Sequence, residues 1–206
     1  RVRSLEGTAL HNLFVLAAES GEYARAQEYA RLALQAYGDR HPRLPALAYD
    51  LGCIWFLTGY FDRALPVLEA VLPHVPDGME RAMALANTAR AAAGCGDRTK
   101  FERYWTLAAS MLDGSPDHHI VAESWLNLAR GAASLRDRDR VEMAAGRARD
   151  LSYQLRLSQL QFEAEAVLDS ARAPVPQRSP EPVTALEGAD ELALALVRSL
   201  EATARG

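Results

Sequence analysis

Apolar residues recur along most of the chain at the i, i+3, i+4 spacing of a helix buried on one face. The clearest stretch runs from Ala48 to Leu72. Its first half carries Leu51, Ile54, Trp55 and Phe56, and its second half Ala64, Leu65, Leu68, Val71 and Leu72. Thr58-Gly59 interrupts the pattern, since glycine tolerates the left-handed backbone that ends a helix. The stretch predicts a helical hairpin, with Asp62 capping its second helix and Pro66 in that helix's first turn. A lone hairpin cannot bury both faces, so copies are expected beside it.

The copies are present. Leu10 to Leu34 aligns without a gap, with Gly21 at the turn and Ala26 at the place of Ala64. Leu85 to Ala109 turns at Gly96-Asp97, and Trp125 to Arg149 turns at Arg136-Asp137 without a glycine. The matching core slots Ala33, Val71, Ala108 and Ala148 lie 38, 37 and 40 residues apart. After the fourth copy, expected to end near Leu151, the apolar period runs on through Leu155, Leu157, Leu160, Phe162 and Leu168. That continuity predicts one long helix over 152–172 that caps the stack. A proline-rich linker over 173–185 follows, expected to be extended and poorly packed. The segment 186–206 closes the chain with an amphipathic helix, Ala189 to Ala204, that carries Leu192, Leu196, Val197 and Leu200 on one face. It is too short to stand alone, so it must dock.

Leu51-Gly52, Trp55, Gly59, Phe61 and Ala64, together with Trp125, Leu128 and Ala129, resemble the tetratricopeptide repeat (TPR) family. Gly38 to Pro42 is similar to the longer linker of its kinesin-light-chain type. The resemblance covers roughly residues 7–150. It implies an all-α, right-handed superhelical solenoid of about four hairpins plus capping C-terminal helices. Residues 1–172 then form the solenoid.

Composition narrows the function. The 206 residues are 49% hydrophobic and carry a net charge of −4, which argues against a nucleic-acid surface on this segment. Lys100 is the only lysine among 23 basic residues, which fits a GC-rich bacterial genome. Cys53 and Cys95 cannot build a disulfide framework, so reduced thiols and a cytoplasmic setting are expected. No apolar run reaches the roughly 20 residues of a membrane span, and no signal peptide is visible. The chain begins at Arg1, already in a helical pattern, and is expected to be a piece of a larger protein. A DNA-binding or ATPase domain upstream is a familiar arrangement for such arrays, by family analogy alone.

No catalytic motif is present, so no enzyme activity and no cofactor are expected. His118-His119, near Asp113 and Asp117, lacks metal-ligand spacing and reads as a solvated loop. Cys53 reads as a spectator thiol. The sharper signal is asparagine. Asn12, Asn87 and Asn127, the only three in the chain, occupy one slot of the first helix in repeats one, three and four, and Asp50 holds it in repeat two. One turn on stand Val15, Cys53, Arg90 and Arg130. In stacked TPR hairpins that face lines the concave groove. An amide can pair with both the C=O and N–H of an extended peptide, and a guanidinium forks onto a carboxylate. Tyr49, Met83 and Leu126 add apolar groove surface.

The expected function is therefore non-catalytic: a groove holding an extended peptide or a partner helix, in a bacterial cytoplasmic regulator or adaptor. Two alternatives stay open. Asparagine is common in this slot for structural reasons, with Arg90 and Arg130 pairing to Glu123 or Asp50. The C-terminal helix would otherwise make the chain a self-assembly scaffold, with a homodimer as the simplest product.

Overall fold

The computed structural model describes residues 2–172 and 188–204. Ten α-helices account for its regular structure, with no strand among the described residues. They are α1 (Val2–Glu19), α2 (Tyr23–Tyr37), α3 (Leu44–Leu57), α4 (Phe61–Val71), α5 (Met79–Gly94), α6 (Arg98–Leu112), α7 (His119–Ser134), α8 (Arg138–Gln154), α9 (Ser158–Arg172) and α10 (Ala189–Ala204), with a 3₁₀ turn at Leu72–His74. They fall into two compact units, one joining α1–α4 with α10 and the other α5–α9. In both, neighbouring helices pack as a helical repeat does.

One turn device is used five times. In each, the residue after a helix adopts a left-handed backbone, and two crossed backbone hydrogen bonds close the helix end. The bond that spans more residues runs from Glu22 N to Ala17 O (2.8 Å), Tyr60 N to Trp55 O (2.7 Å), Asp97 N to Ala92 O (2.9 Å), Asp137 N to Ala132 O (3.0 Å) and Leu157 N to Ser152 O (2.8 Å). Gly21, Gly59 and Gly96 supply the left-handed residue in three of them, whereas Arg136 and Arg156 supply it in the other two, at φ 57° and 58°.

The fifth of these turns corrects the sequence reading. The expected single helix over 152–172 is broken at Leu155–Leu157, where α8 ends and α9 folds back on it. No glycine or proline marks the break, and apolar residues run straight across it. Two smaller corrections concern α4. Its N-cap is Tyr60, which makes no side-chain capping bond, and Asp62 lies one residue inside the first turn. There its charge still favours the positive helix end. Pro66 sits in the helix interior rather than the first turn. Asp97 and Asp137 do cap α6 and α8, accepting from Lys100 N at 2.9 Å and Arg140 N at 3.3 Å.

The core slots read from the repeat alignment are buried throughout: Ala33, Val71, Ala108 and Ala148, with Ala26, Ala64, Phe101 and Val141 two turns before. In the α5–α9 unit alanines bring α5 and α7 close together. Gly131 marks a close approach, since a Cβ there would lie 3.2 Å from the Arg90 backbone. In the other unit a Cβ on Gly52 would meet the Leu68 side chain at 2.9 Å. Trp55 is fully buried and donates its indole N–H to Gln27 Oε1 at 3.3 Å.

Helix α10 covers the bounds expected for it and packs on α4, α3 and α2. Leu192, Leu196 and Leu200 are buried, while Val197 is half-buried. The expected proline-rich linker lies outside the described residues.

Candidate functional site

In the α5–α9 unit, three helices present one polar row. Asn87 on α5 and Asn127 on α7 are 4% and 5% exposed, and the Asn127 amide donates to Asn87 Oδ1 at 2.9 Å. Burying two amides is tolerable because each answers the other. Asn127 Oδ1 in turn accepts from Arg90 Nη1 at 2.8 Å. One turn along α7, Arg130 Nη2 donates to Glu163 Oε2 on α9 at 2.8 Å. Gln159 donates to the other Glu163 oxygen at 2.8 Å. The Gln159 hydrogen bond, and then Arg130, hold the Glu163 carboxyl below its ordinary range against the opposing effect of burial.

The row therefore runs Asn87, Arg90, Asn127, Arg130, Glu163. The amides lie inside and the half-buried arginines at the surface. Arg90 donates to Asn127 and Arg130 to Glu163. Met83, one turn before Asn87, is half-buried. Leu126 is 1% exposed and belongs to the core, which corrects its expected place on a groove wall.

The α1–α4 segment is arranged differently. Asn12 points outward, and the contact to the next first helix is made by its neighbour: His11 Nε2 lies 2.9 Å from Asp50 Oδ2. The asparagine slot thus slips by one residue in the first copy. Val15, one turn on, is exposed. His11 is buried, with the Tyr37 hydroxyl 3.5 Å from its Nδ1. The Tyr37 ring stacks on His41 with centroids 4.1 Å apart. Arg43 N donates to His41 Nδ1 at 3.2 Å, so the ring proton sits on Nε2 and is donated to Ser4 Oγ at 2.8 Å. That tautomer cannot act as a base toward Ser4. Tyr49 and Cys53 are half-buried on α3. The asparagine pattern gave no signal for His11. The distance of 39 residues to Asp50, one repeat period, was the signal available.

The histidine loop serves the fold. His118 caps α7, its Nδ1 accepting from Ile120 N at 3.3 Å. His119 and Glu123 line a shallow open cavity with Leu157, Ser158 and Leu160. Among the described residues no three His, Cys, Asp or Glu side chains gather to hold a metal ion. Arg140 lies over the Phe101 and Trp105 rings at 5.6 and 5.2 Å, and Arg147 lies over Trp125 at 4.7 Å while pairing with Asp113. These tryptophans pack the unit, at 6% and 3% exposure. No helix of the described residues is long and apolar enough to cross a membrane.

Compared with known proteins, the chain matches no protein-family model, and no curated protein matches it either.

Proposed function

We propose that the chain is a non-catalytic, TPR-like module, a right-handed solenoid of helical hairpins that recognises a protein segment. The observation that carries this reading is the row along α5, α7 and α9. Buried Asn127 fixes the Arg90 guanidinium in place, and Arg130 stands one turn beyond on the same face. Two oriented guanidinium groups at half-buried positions suit a carboxylate, either a peptide C-terminus or an Asp/Glu side chain. Glu163 already shows that Arg130 accepts a carboxylate there. Asn87 and Asn127 support this site from within. In this reading the chain is the assembly or sensing part of a bacterial cytoplasmic regulator or adaptor.

The self-assembly reading is weaker, because α10 spends its leucine face within its own chain. To test the favoured one, an array of acidic peptides with free or amidated C-termini is probed with the full chain and with its Arg90→Gln/Arg130→Gln variant. A charge-assisted hydrogen bond contributes about 1.5–3 kcal/mol. Carboxylate-bearing peptides are therefore expected to be retained by the native chain and weakened at least about tenfold in the variant. Retention of none, or equal retention by both, contradicts the reading.

A further inference from the structure

The seat of α10 has the character of a recognition site. Sixteen residues long, α10 is marginal as an isolated helix, so its order comes from the surface beneath it. It meets that surface through one narrow stripe. Leu192, Leu196 and Leu200, four residues apart, are buried against α2, α3 and α4. Ala193 and Ser199 flank them. The polar ties lie around that stripe. At the N-terminal end Arg63 grips both oxygens of Asp190, at 2.6 and 3.3 Å. Farther along, Ser199 Oγ donates to Asp39 at 3.0 Å, and His74 Nε2 donates to the Leu200 carbonyl at 3.2 Å.

The chemistry that holds α10 is thus short and portable: an acidic residue two places before a Leu-x3-Leu-x3-Leu stripe. A helix laying an apolar stripe into a complementary surface is a general mode of peptide recognition. Asp190 and Glu191 also place negative charge in the first turn, which favours any helix held by its N-terminal end near Arg63.

We infer that the surface formed by α2, α3 and α4 is a receptor for amphipathic helices, that α10 is its resident occupant, and that a partner helix bearing the same Asp-x-Leu-x3-Leu-x3-Leu pattern displaces it. The partner is complementary in two respects: three leucines for the buried stripe and one carboxylate for Arg63. The resident helix is joined to α9 by the sixteen residues 173–188. Because α10 belongs to the same chain as its seat, a free helix competes with an intramolecular occupant and stands at a disadvantage until α10 is unseated. This surface belongs to the α1–α4 and α10 unit, whereas Arg90 and Arg130 belong to the other. Failure of either proposal leaves the other standing.

The test uses the full chain and a fluorescent synthetic peptide of residues 188–204. In one variant, Leu192→Asp/Leu196→Asp/Leu200→Asp, the resident helix loses its apolar stripe. The peptide is expected to bind this variant at least about tenfold more tightly than the native chain, and adding Arg63→Glu is expected to weaken it again. Equal affinity for native and variant chains, or no binding to a variant of unchanged receptor helicity, overturns the inference. Should the variant unfold, a protease site placed between residues 173 and 187 of the native chain provides the second measurement. After cleavage, labelled peptide is expected to replace the cut C-terminal fragment on size exclusion, and failure to exchange overturns the inference. A native chain that sediments as a dimer with α10 exchanged between copies also overturns it, in favour of a second copy as occupant.

Discussion

Arg90 donates to the side-chain oxygen of Asn127 at 2.8 Å, thirty-seven residues away and one repeat along. The same Asn127 donates its amide to Asn87. A single buried amide therefore joins the core between α5 and α7 to a charged group at their surface.

Replacing Asn127 by alanine removes the donor to Asn87 and an acceptor from Arg90. The change is expected to cost about 1–3 kcal/mol, the range for disturbing a buried hydrogen-bonded group. Urea unfolding reports it as a lowered midpoint at unchanged slope. Arg130→Gln, at a pair whose side chains are about one-third exposed, is expected to cost less than about 1 kcal/mol.

The turns offer a gain. Arg136 and Arg156 hold left-handed backbones that cost an L side chain roughly 1 kcal/mol or more. Arg136→Gly and Arg156→Gly are each expected to raise the melting temperature, offset in part by glycine's greater freedom in the unfolded chain. A fall in melting temperature for both would mean the arginine side chains contribute more than their backbones cost.

Two glycines should respond in opposite directions. Gly52→Ala drives a Cβ to 2.9 Å from buried Leu68 and is expected to cost about 1–3 kcal/mol through overpacking. Gly146 lies inside α8 with open space at its Cβ position, so Gly146→Ala is expected to stabilise by roughly 0.5–1 kcal/mol. Thermal denaturation of the two variants side by side checks both signs.

Acid should loosen the α7–α9 contact. Glu163 is held below the ordinary carboxylate range by Gln159 first and Arg130 second. A depressed carboxyl contributes stability that is fully present above its unfolded value and is lost as pH falls through its folded one. Stability is thus expected to decline below about pH 4.5, and Glu163→Gln to flatten that part of the profile. An unchanged acid limb in the variant would remove Glu163 from the explanation.

These residues also mark what the sequence could show. Helical hairpins and their core slots were readable because Ala26, Ala64, Phe101 and Val141 recur at one period, and Gly21, Gly59 and Gly96 punctuate it. The bounds of α10 were readable from its leucine stripe. The break at Arg156 was not, because a left-handed arginine leaves no compositional mark while Leu155 and Leu157 continue the apolar period. The slip from Asn12 to His11 was hidden for a related reason. A turn glycine fixes where a helix ends, but the rotation of that helix against its neighbour depends on packing, here of His11 with Tyr37 and Asp50. Residue identity located the Asn-x-x-Arg pairs, and only the folded chain shows that their amides face inward.

The most direct measurement is the affinity of an array-selected acidic peptide for the full chain, for Arg130→Gln, and for Arg149→Gln, whose guanidinium pairs with the adjacent Asp150. With all three equally folded, fluorescence anisotropy is expected to show at least about tenfold weaker binding for Arg130→Gln and no change for Arg149→Gln. One affinity common to all three would contradict a role for the α5–α7–α9 row in recognition.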